Sequence, residues 1–375
     1  GLSRVGMIFN EAHKTHGLRA EETTVASCLK QVGYRTALIG KWHLGHGAVE
    51  HYPTRHGFDE FYGALGGCID YFDHAYAFVP DWYRGEQPLV EEGYSTTLLT
   101  REAVDFLERQ SAARPFFLCL TYFAPHYGKS LAAEAAVHDH TLSTAKAGGE
   151  RTNPRTGEAC QPINSLQAPL EDLRQVRHIE DPKRRYYTAM VRALDDGVGE
   201  VLAALQAADL DENTIVLFLA DNGPDMTVSN AGDHGPLRGA KHSLWEGGIR
   251  VPAALQWPAR LKAGQVLDVP VSALDLLPTF CALSAAPLPA GPIDGLDVTG
   301  ALFAGQPLQR TLYWRQGRQE AVRRGDWKLI YDDLYNVAAD PGEQRDLAAQ
   351  KPDLVAELVE LREMMRRSLT LERTD

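Results

Sequence analysis

Hydrophobic positions along the chain fall into two alternating kinds of run. ETTVASCLKQVGY carries Val25, Cys28, Leu29 and Val32 at helical spacing, opens on Thr and stops at Gly33, and so predicts a short helix. YRTALIG, directly after it, predicts a strand. REAVDFLERQ places Ala103, Val104 and Leu107 on one helical face, and beyond Pro115 the apolar run FFLCLTYF predicts the next strand. In the third round Val191, Leu194, Val198, Val201, Leu202 and Leu205 mark one face of a long helix over 187–205, followed by the turn DLDEN and the strand TIVLFLA. Continuously apolar strands alternating with amphipathic helices imply an α/β fold: a large, mostly parallel but mixed sheet sandwiched by helices.

Two stretches break this rhythm. From about 130 to 182 the pattern dissolves into Ala, His, Gly, Pro and charged residues, as in a long insertion running over the surface, where it would shape substrate specificity. After about 307, TLYWRQ, QEAVRRG, WKLIYD and LYNV are short alternating segments separated by turns and closed by a helix over 352–368. The expected organisation is a large α/β domain over 1–306 and a small C-terminal α+β domain over 307–375, an antiparallel sheet plus a terminal helix.

With 375 residues and 44% hydrophobic content the chain can bury one large core and leave enough for a satellite domain. No apolar run approaches the roughly 20 residues a membrane-spanning helix needs, so no transmembrane segment is expected. A net charge of −12, without basic runs interleaved with aromatics, excludes nucleic acid as a partner. The same charge would not steer an anionic substrate, so any anion site must concentrate its cations locally. Cys28, Cys68, Cys119, Cys160 and Cys281 show neither a C-x-x-C pair nor zinc spacing and read as buried or free thiols.

In open parallel sheets ligands gather beyond the carboxyl ends of the strands, so the residues after each apolar run are the ones that can carry chemistry. TALI is followed by GKWHLG with Lys41 and His43, FFLCLTYF by APHYG with His126, and TIVLFLA by DNG with Asp221 and Asn222. Each alone reads more readily as an ordinary loop residue or core hydrogen-bonder; three coincident strand ends point to one edge. Asp221 and Asn222 are hard oxygen ligands suited to Ca²⁺ or Mg²⁺, although two oxygens fall short of the calcium shell, and an Asp-Asn-Gly triplet is also a common turn. Lys241, in the glycine-flanked GAKHSLWEGG, can reach the same edge. Arg4, Lys41, His43, His126 and Lys241 would then surround a metal-bound tetrahedral anion and stabilise charge on its leaving oxygen.

GYRTALIGKWHLG, APH, ADNG, LRGAKHSLWEGGIRVPA and LYNVAADPGEQRDL resemble, in order, the characteristic segments of type I sulfatases of the alkaline phosphatase superfamily. HYPTRHGFDEFYG resembles the arylsulfatase and glycosaminoglycan-sulfatase branch. The resemblance implies an alkaline-phosphatase-like fold and hydrolysis of an aryl or carbohydrate sulfate by a formylglycine, with Ca²⁺ preferred to Mg²⁺. It implies sulfate binding by Lys41, His126 and Lys241, the latter two also helping to protonate the leaving oxygen. His43 would contact the formylglycine hydroxyl, and Asp221 and Asn222 would ligate the metal. The family's signature arginine is followed after twelve residues by His-Gly, a spacing that Arg4 has to His16–Gly17. The resemblance thus places the formylglycine one residue before Gly1, and a first Asp pair farther upstream.

Leu2 stands where the signature has Pro, and Phe9–Asn10 where many members have Thr-Gly. The proline helps recognition by the formylglycine-generating enzyme, the partner expected for maturation. With its nucleophile and first Asp pair outside the sequence, the polypeptide as it stands is expected to be inactive. The family also implies a periplasmic or secreted location, a sulfated small molecule or glycan as substrate, and two alternatives: a phosphonate or phosphate monoester hydrolase of the same superfamily, or a non-catalytic binder of sulfated glycans.

Overall fold

The computed structural model describes residues 16–371 apart from 77–78, 137, 148, 153–156, 158 and 230. The chain divides into two units, one of residues 1–214 and 271–299, the other of 215–270 and 300–375. Arg4, Leu2, Phe9 and Asn10 lie outside the described residues.

In the first unit helix α1 (Val25–Gln31) starts at Thr24, whose hydroxyl accepts the Ser27 amide at 3.0 Å while the Ser27 hydroxyl accepts the Thr24 amide at 3.0 Å. This reciprocal cap satisfies two amides that helix geometry leaves without partners. Strand β1 (Arg35–Lys41) runs parallel to β2 (Glu60–Ala64) on one side and to β3 (Phe116–Thr121) on the other. Flanked on both edges, β1 buries Thr36 through Gly40 without interruption, as an all-apolar strand requires. Short antiparallel strands at Tyr83–Arg84 and Gln87–Pro88 extend the far side of β2 and make the sheet mixed. Helix α2 (Ser95–Glu108) buries Leu98, Leu99, Ala103, Phe106 and Leu107 and packs on α3 (Pro182–Ala207).

The face of α3 matches the one its apolar residues suggest in part. Leu205 is buried and Leu194, Val198, Val201 and Leu202 are half-buried, but Val191 is 37% exposed and the other buried positions are Ala189, Met190, Gly197 and Ala204. Gly197 lies against Thr100 of α2, where close helix approach leaves little room for side-chain volume.

The insertion is also more ordered than its composition suggests. Strands β4 (Gly128–Leu131), β5 (Thr141–Lys146) and β6 (Pro162–Gln167) form an antiparallel sheet in the order β4-β6-β5. All of β6, PINSLQ, is buried. Its polar side chains are satisfied internally: the Gln167 amide donates to Asp70 at 2.9 Å, Ser130 donates to the same carboxylate at 2.5 Å, and the Ser130 and Ser165 hydroxyls lie 2.7 Å apart. Paired polar groups can occupy a core at little net cost, and a hydrophobicity pattern does not register them. Helix α4 (Leu276–Ser284) returns to this unit and brings Cys281 against Cys28 of α1. All five cysteines are free, and burial pushes the Cys119 thiol up to about 11.

In the second unit β7 (Val216–Leu219) was expected to be a parallel strand; instead it pairs antiparallel with β8 (Ala253–Gln256). Phe218 is 46% exposed and Leu219 38%. Strands β9 (Thr311–Gln316), β10 (Gln319–Arg324), β11 (Trp327–Ile330) and β12 (Asp333–Asn336) form an antiparallel meander. Helix α5 (Pro352–Leu371) covers it by setting Leu358 against Val322, Leu329 and Leu334. Among the described residues no helix is long and apolar enough to cross a membrane.

Candidate active site

Lys41 closes β1, and the chain beyond it stays bound to the turn after β2. The Trp42 amide donates to Ala64 O and the His43 amide to Leu65 O, both at 3.0 Å. Trp42 is the anchor: its buried ring donates through Nε1 to His51 O at 2.7 Å and stacks on His56 at 5.7 Å. Lys41 and His43 remain half-buried on either side of it. Gly40 permits this geometry, having φ +122° and lying so near β3 that a Cβ there would sit 2.0 Å from Thr121 O. The Thr121 hydroxyl then donates to Lys41 O at 2.8 Å.

His43 itself has φ +57°, a left-handed conformation that costs a non-glycine residue about 1 kcal/mol or more and that clusters at functional sites. Its ring lies over Gly67, where a Cβ would stand 2.4 Å from Nε2. The turn beneath is gripped by Asp81, whose carboxylate accepts the Leu65 amide at 3.0 Å and the Gly66 amide at 2.8 Å. Burial pushes the Asp81 carboxyl up to about 6 against the pull of those two bonds.

His126 follows β3 after a short turn in which its amide donates to Phe123 O at 2.8 Å. The buried Tyr71 donates its hydroxyl to His126 O at 2.7 Å, which fixes the backbone. Nδ1 lies 2.8 Å from Tyr127 O. A carbonyl can only accept, so Nδ1 carries the hydrogen and Nε2 is the nitrogen that can exchange a proton.

Asp221, Asn222 and Lys241 belong to the second unit. Beyond β7 the Ala220 amide donates to Pro252 O at 3.3 Å and the Gly223 amide to Gly248 O at 3.1 Å. A Cβ on Gly223 would fall 1.8 Å from Gly247 O, so the Asp-Asn-Gly turn lies flush against the EGG turn. Lys241 is tied to the same place, its amide donating to Pro224 O at 3.0 Å. Burial raises the Asp225 carboxyl, but hydrogen bonds from Val228 and Thr227, with Lys241 nearby, bring it below the usual range. His242, next to Lys241, has φ +72°.

The Asn222 amide group donates to Gly223 O at 2.8 Å, which commits its nitrogen and leaves Oδ1 as the ligand-type atom beside the exposed Asp221 carboxylate. Two hard oxygens suit calcium in kind, but calcium takes about 6 to 8. Among the described residues no group of three or more His, Cys, Asp or Glu is arranged to hold a metal ion.

The sequence reading missed Asp81, Tyr71 and His242; an isolated charge or aromatic away from a strand end carries no local signal. It also passed over a cavity of 170 Å³ in the first unit, lined by Asp70, Asp73, Ser130, His138, His140 and Gln167 among others. There the His138 and His140 rings stack at 4.8 Å.

A sequence profile described as Sulfatase matches residues 2–285. N-acetylgalactosamine-6-sulfatase of Canis lupus familiaris is 32% identical over 332 residues, which cover 84% of this chain and 55% of that protein. Arylsulfatase J of Mus musculus is 27% identical, with 91% of this chain and 62% of its own length covered. The chain therefore spans little more than half the length of the curated relatives it matches. Among solved structures, Ps i-CgsB in complex with k-i-k-neocarrahexaose superposes with a TM-score of 0.79 at 28% identity, covering 98% of this chain and 79% of that one. The profile match, the shared fold and the ordered strand-end segments lead to one conclusion: this chain belongs to the sulfatase family.

Proposed function

We propose that the protein hydrolyses aryl or carbohydrate sulfate esters, cleaving the S–O bond to give an alcohol or phenol and inorganic sulfate. The observation that carries this reading is the chemistry of the side chains that each unit sets at its strand ends. Lys41 and Lys241 supply fixed positive charge, His126 has one nitrogen committed and the other able to move a proton, and Asp221 with Asn222 offers hard oxygens. One relative is named an N-acetylgalactosamine-6-sulfatase and one solved neighbour holds k-i-k-neocarrahexaose, which favours a carbohydrate ester as substrate.

In this reading Lys41 and Lys241 bind the sulfate oxygens, and Lys241 neutralises charge on the bridging oxygen as the bond breaks. His126, which as the imidazolium carries a second hydrogen on Nε2, delivers that proton to the leaving oxygen and is left neutral with Nδ1–H. His43 serves the hydroxyl group that releases sulfate, and Arg4, the signature arginine, adds positive charge around the anion. Asp221 and Asn222 would hold part of a calcium shell; the ion would supply charge stabilisation, and a formylglycine placed before Gly1 the nucleophile. The formylglycine-generating enzyme is the partner that maturation would require.

The test is hydrolysis of nitrocatechol sulfate by the protein extended upstream and matured. Turnover of the sulfate in strong preference to a phosphonate monoester supports the proposal. The reverse preference assigns the protein to the monoester branch, and tight binding of sulfated glycan with no turnover makes it a binding protein.

A further inference from the structure

One ionic cluster in the second unit is used by nothing described so far. Lys328, within β11, is 0% exposed, and its Nζ lies 2.9 Å from Glu246 Oε1 and 2.8 Å from Glu343 Oε1. Both carboxylates are equally buried, and Arg323 approaches Glu246 at 3.6 Å. Taking such charges out of water costs several kcal/mol per ion, and well-packed apolar residues often serve stability as well or better. The C-terminal sheet already has an apolar core in Val322, Leu329, Leu334 and Leu358. Stability therefore does not account for Lys328.

Its position does. Glu246 belongs to the turn that follows Lys241 in LRGAKHSLWEGG. The Glu246 amide donates to Glu343 Oε2 at 2.7 Å, so both the side chain and the backbone of this residue end in the cluster. Arg238 closes it from the other side, lying 3.6 Å over the Trp245 ring and donating to Glu343 O at 2.9 Å, while the Gly247 amide donates to Arg238 O at 2.6 Å. Glu343 is held at φ +50°, strain that its bonds must offset. Gly247 and Gly248, fixed in this way, form the surface on which Gly223 rests, and Lys241 hangs from Pro224 one step beyond.

We propose that Lys328, with Glu246 and Glu343, is a positioning group: through this turn it sets where Lys241 stands against the Asp221–Gly223 strand end. The C-terminal sheet thereby takes part in the reaction without touching substrate. This rests on the reading of Lys241 as a sulfate-binding lysine.

A double-mutant cycle tests it on the matured full-length protein, with whichever ester that protein cleaves. Lys328→Met should lower kcat by about 10²-fold, the scale of a misplacement near 1 Å, and change KM far less. Introduced together with Lys241→Ala, it should lower kcat no further, because it acts through that lysine. A cost that multiplies in the double variant means a purely structural role and overturns the proposal. If thermal melting shows Lys328→Met to be unfolded, the neutral triple variant Lys328→Met/Glu246→Gln/Glu343→Gln goes through the same cycle. It leaves no unpaired buried ion, and its loss of kcat should likewise vanish alongside Lys241→Ala. Full turnover in the triple variant also overturns the proposal. Normal turnover in Lys241→Ala alone is a separate outcome: the lysine assignment fails, and this inference with it.

Discussion

Two lysine-histidine turns, Lys41–Trp42–His43 in the first unit and Lys241–His242 in the second, share a device and differ in how they are held. Each sets a left-handed histidine beside its lysine. The first hangs on backbone: parallel-strand hydrogen bonds continue past the end of β1, Gly40 allows β3 to come close, and Asp81 grips the neighbouring turn. The second has little sheet to hang on, since β7 and β8 are short and paired only to each other among the described residues. Its support comes from buried ions. Removing a charged partner should therefore cost more turnover at the ion-held turn, while added volume is costly at both, since a Cβ on Gly40 or on Gly223 would meet a backbone oxygen.

The largest effect expected is at the second turn. Lys241→Ala should lower kcat on an aryl sulfate by about 10²- to 10³-fold, the usual loss for one preorganised donor, with KM affected much less. His126→Ala should match it in size. Steady-state kinetics of the matured protein decide, and near-parental turnover in Lys241→Ala removes the second turn from the chemistry.

The first turn has a signature in pH. Asp81 is raised from an unfolded value near 3.8 to about 6. The folded state thus holds its proton more tightly, so the contribution is full below 3.8 and is lost as pH rises through about 6. The stability of the parent relative to Asp81→Asn should fall by on the order of 2 to 3 kcal/mol over that window. Denaturant melts at several pH values measure it, and a constant difference shows that the carboxyl is not buried as described.

Smaller again is the metal effect. Calorimetric titration of the 375-residue chain with Ca²⁺ should give weak or no binding, because Asp221 and Asn222 alone cannot replace the ion's hydration shell. Tight stoichiometric binding would mean that further oxygens complete the site. Smallest of all, His138→Ala should leave aryl-sulfate turnover unchanged; a drop beyond about tenfold would move the chemistry toward the cavity that His138 lines.

What the sequence made legible follows from what a hydrophobic pattern measures. The meander β9–β12 and the terminal helix were readable because their segments alternate and sit between turns. Strand-end residues were readable because β1, β3 and β7 end where their apolar runs end. Strand β6 was not, since PINSLQ buries polar groups that only a distant Asp70 makes acceptable. The antiparallel partner of β7 was missed because β8, four residues long and set between Pro252 and Pro258, looks like a loop. Lys328 and Glu246 were invisible for a related reason: a single charge on a short strand or turn reads as a solvated face until its partner is known.

The hydrogen-bonded group of Asp70, Ser130, Ser165 and Gln167 draws on three separate stretches of chain. Replacing any one of them strands the others without water, so none can drift alone, and the four should change together or not at all. The exposed Ala136, Gly149 and Glu150, in the loops before and after β5, carry no such obligation. For an engineer wishing to retarget the insertion toward another glycan, those loops are the editable text and the buried quartet is the binding that holds the pages.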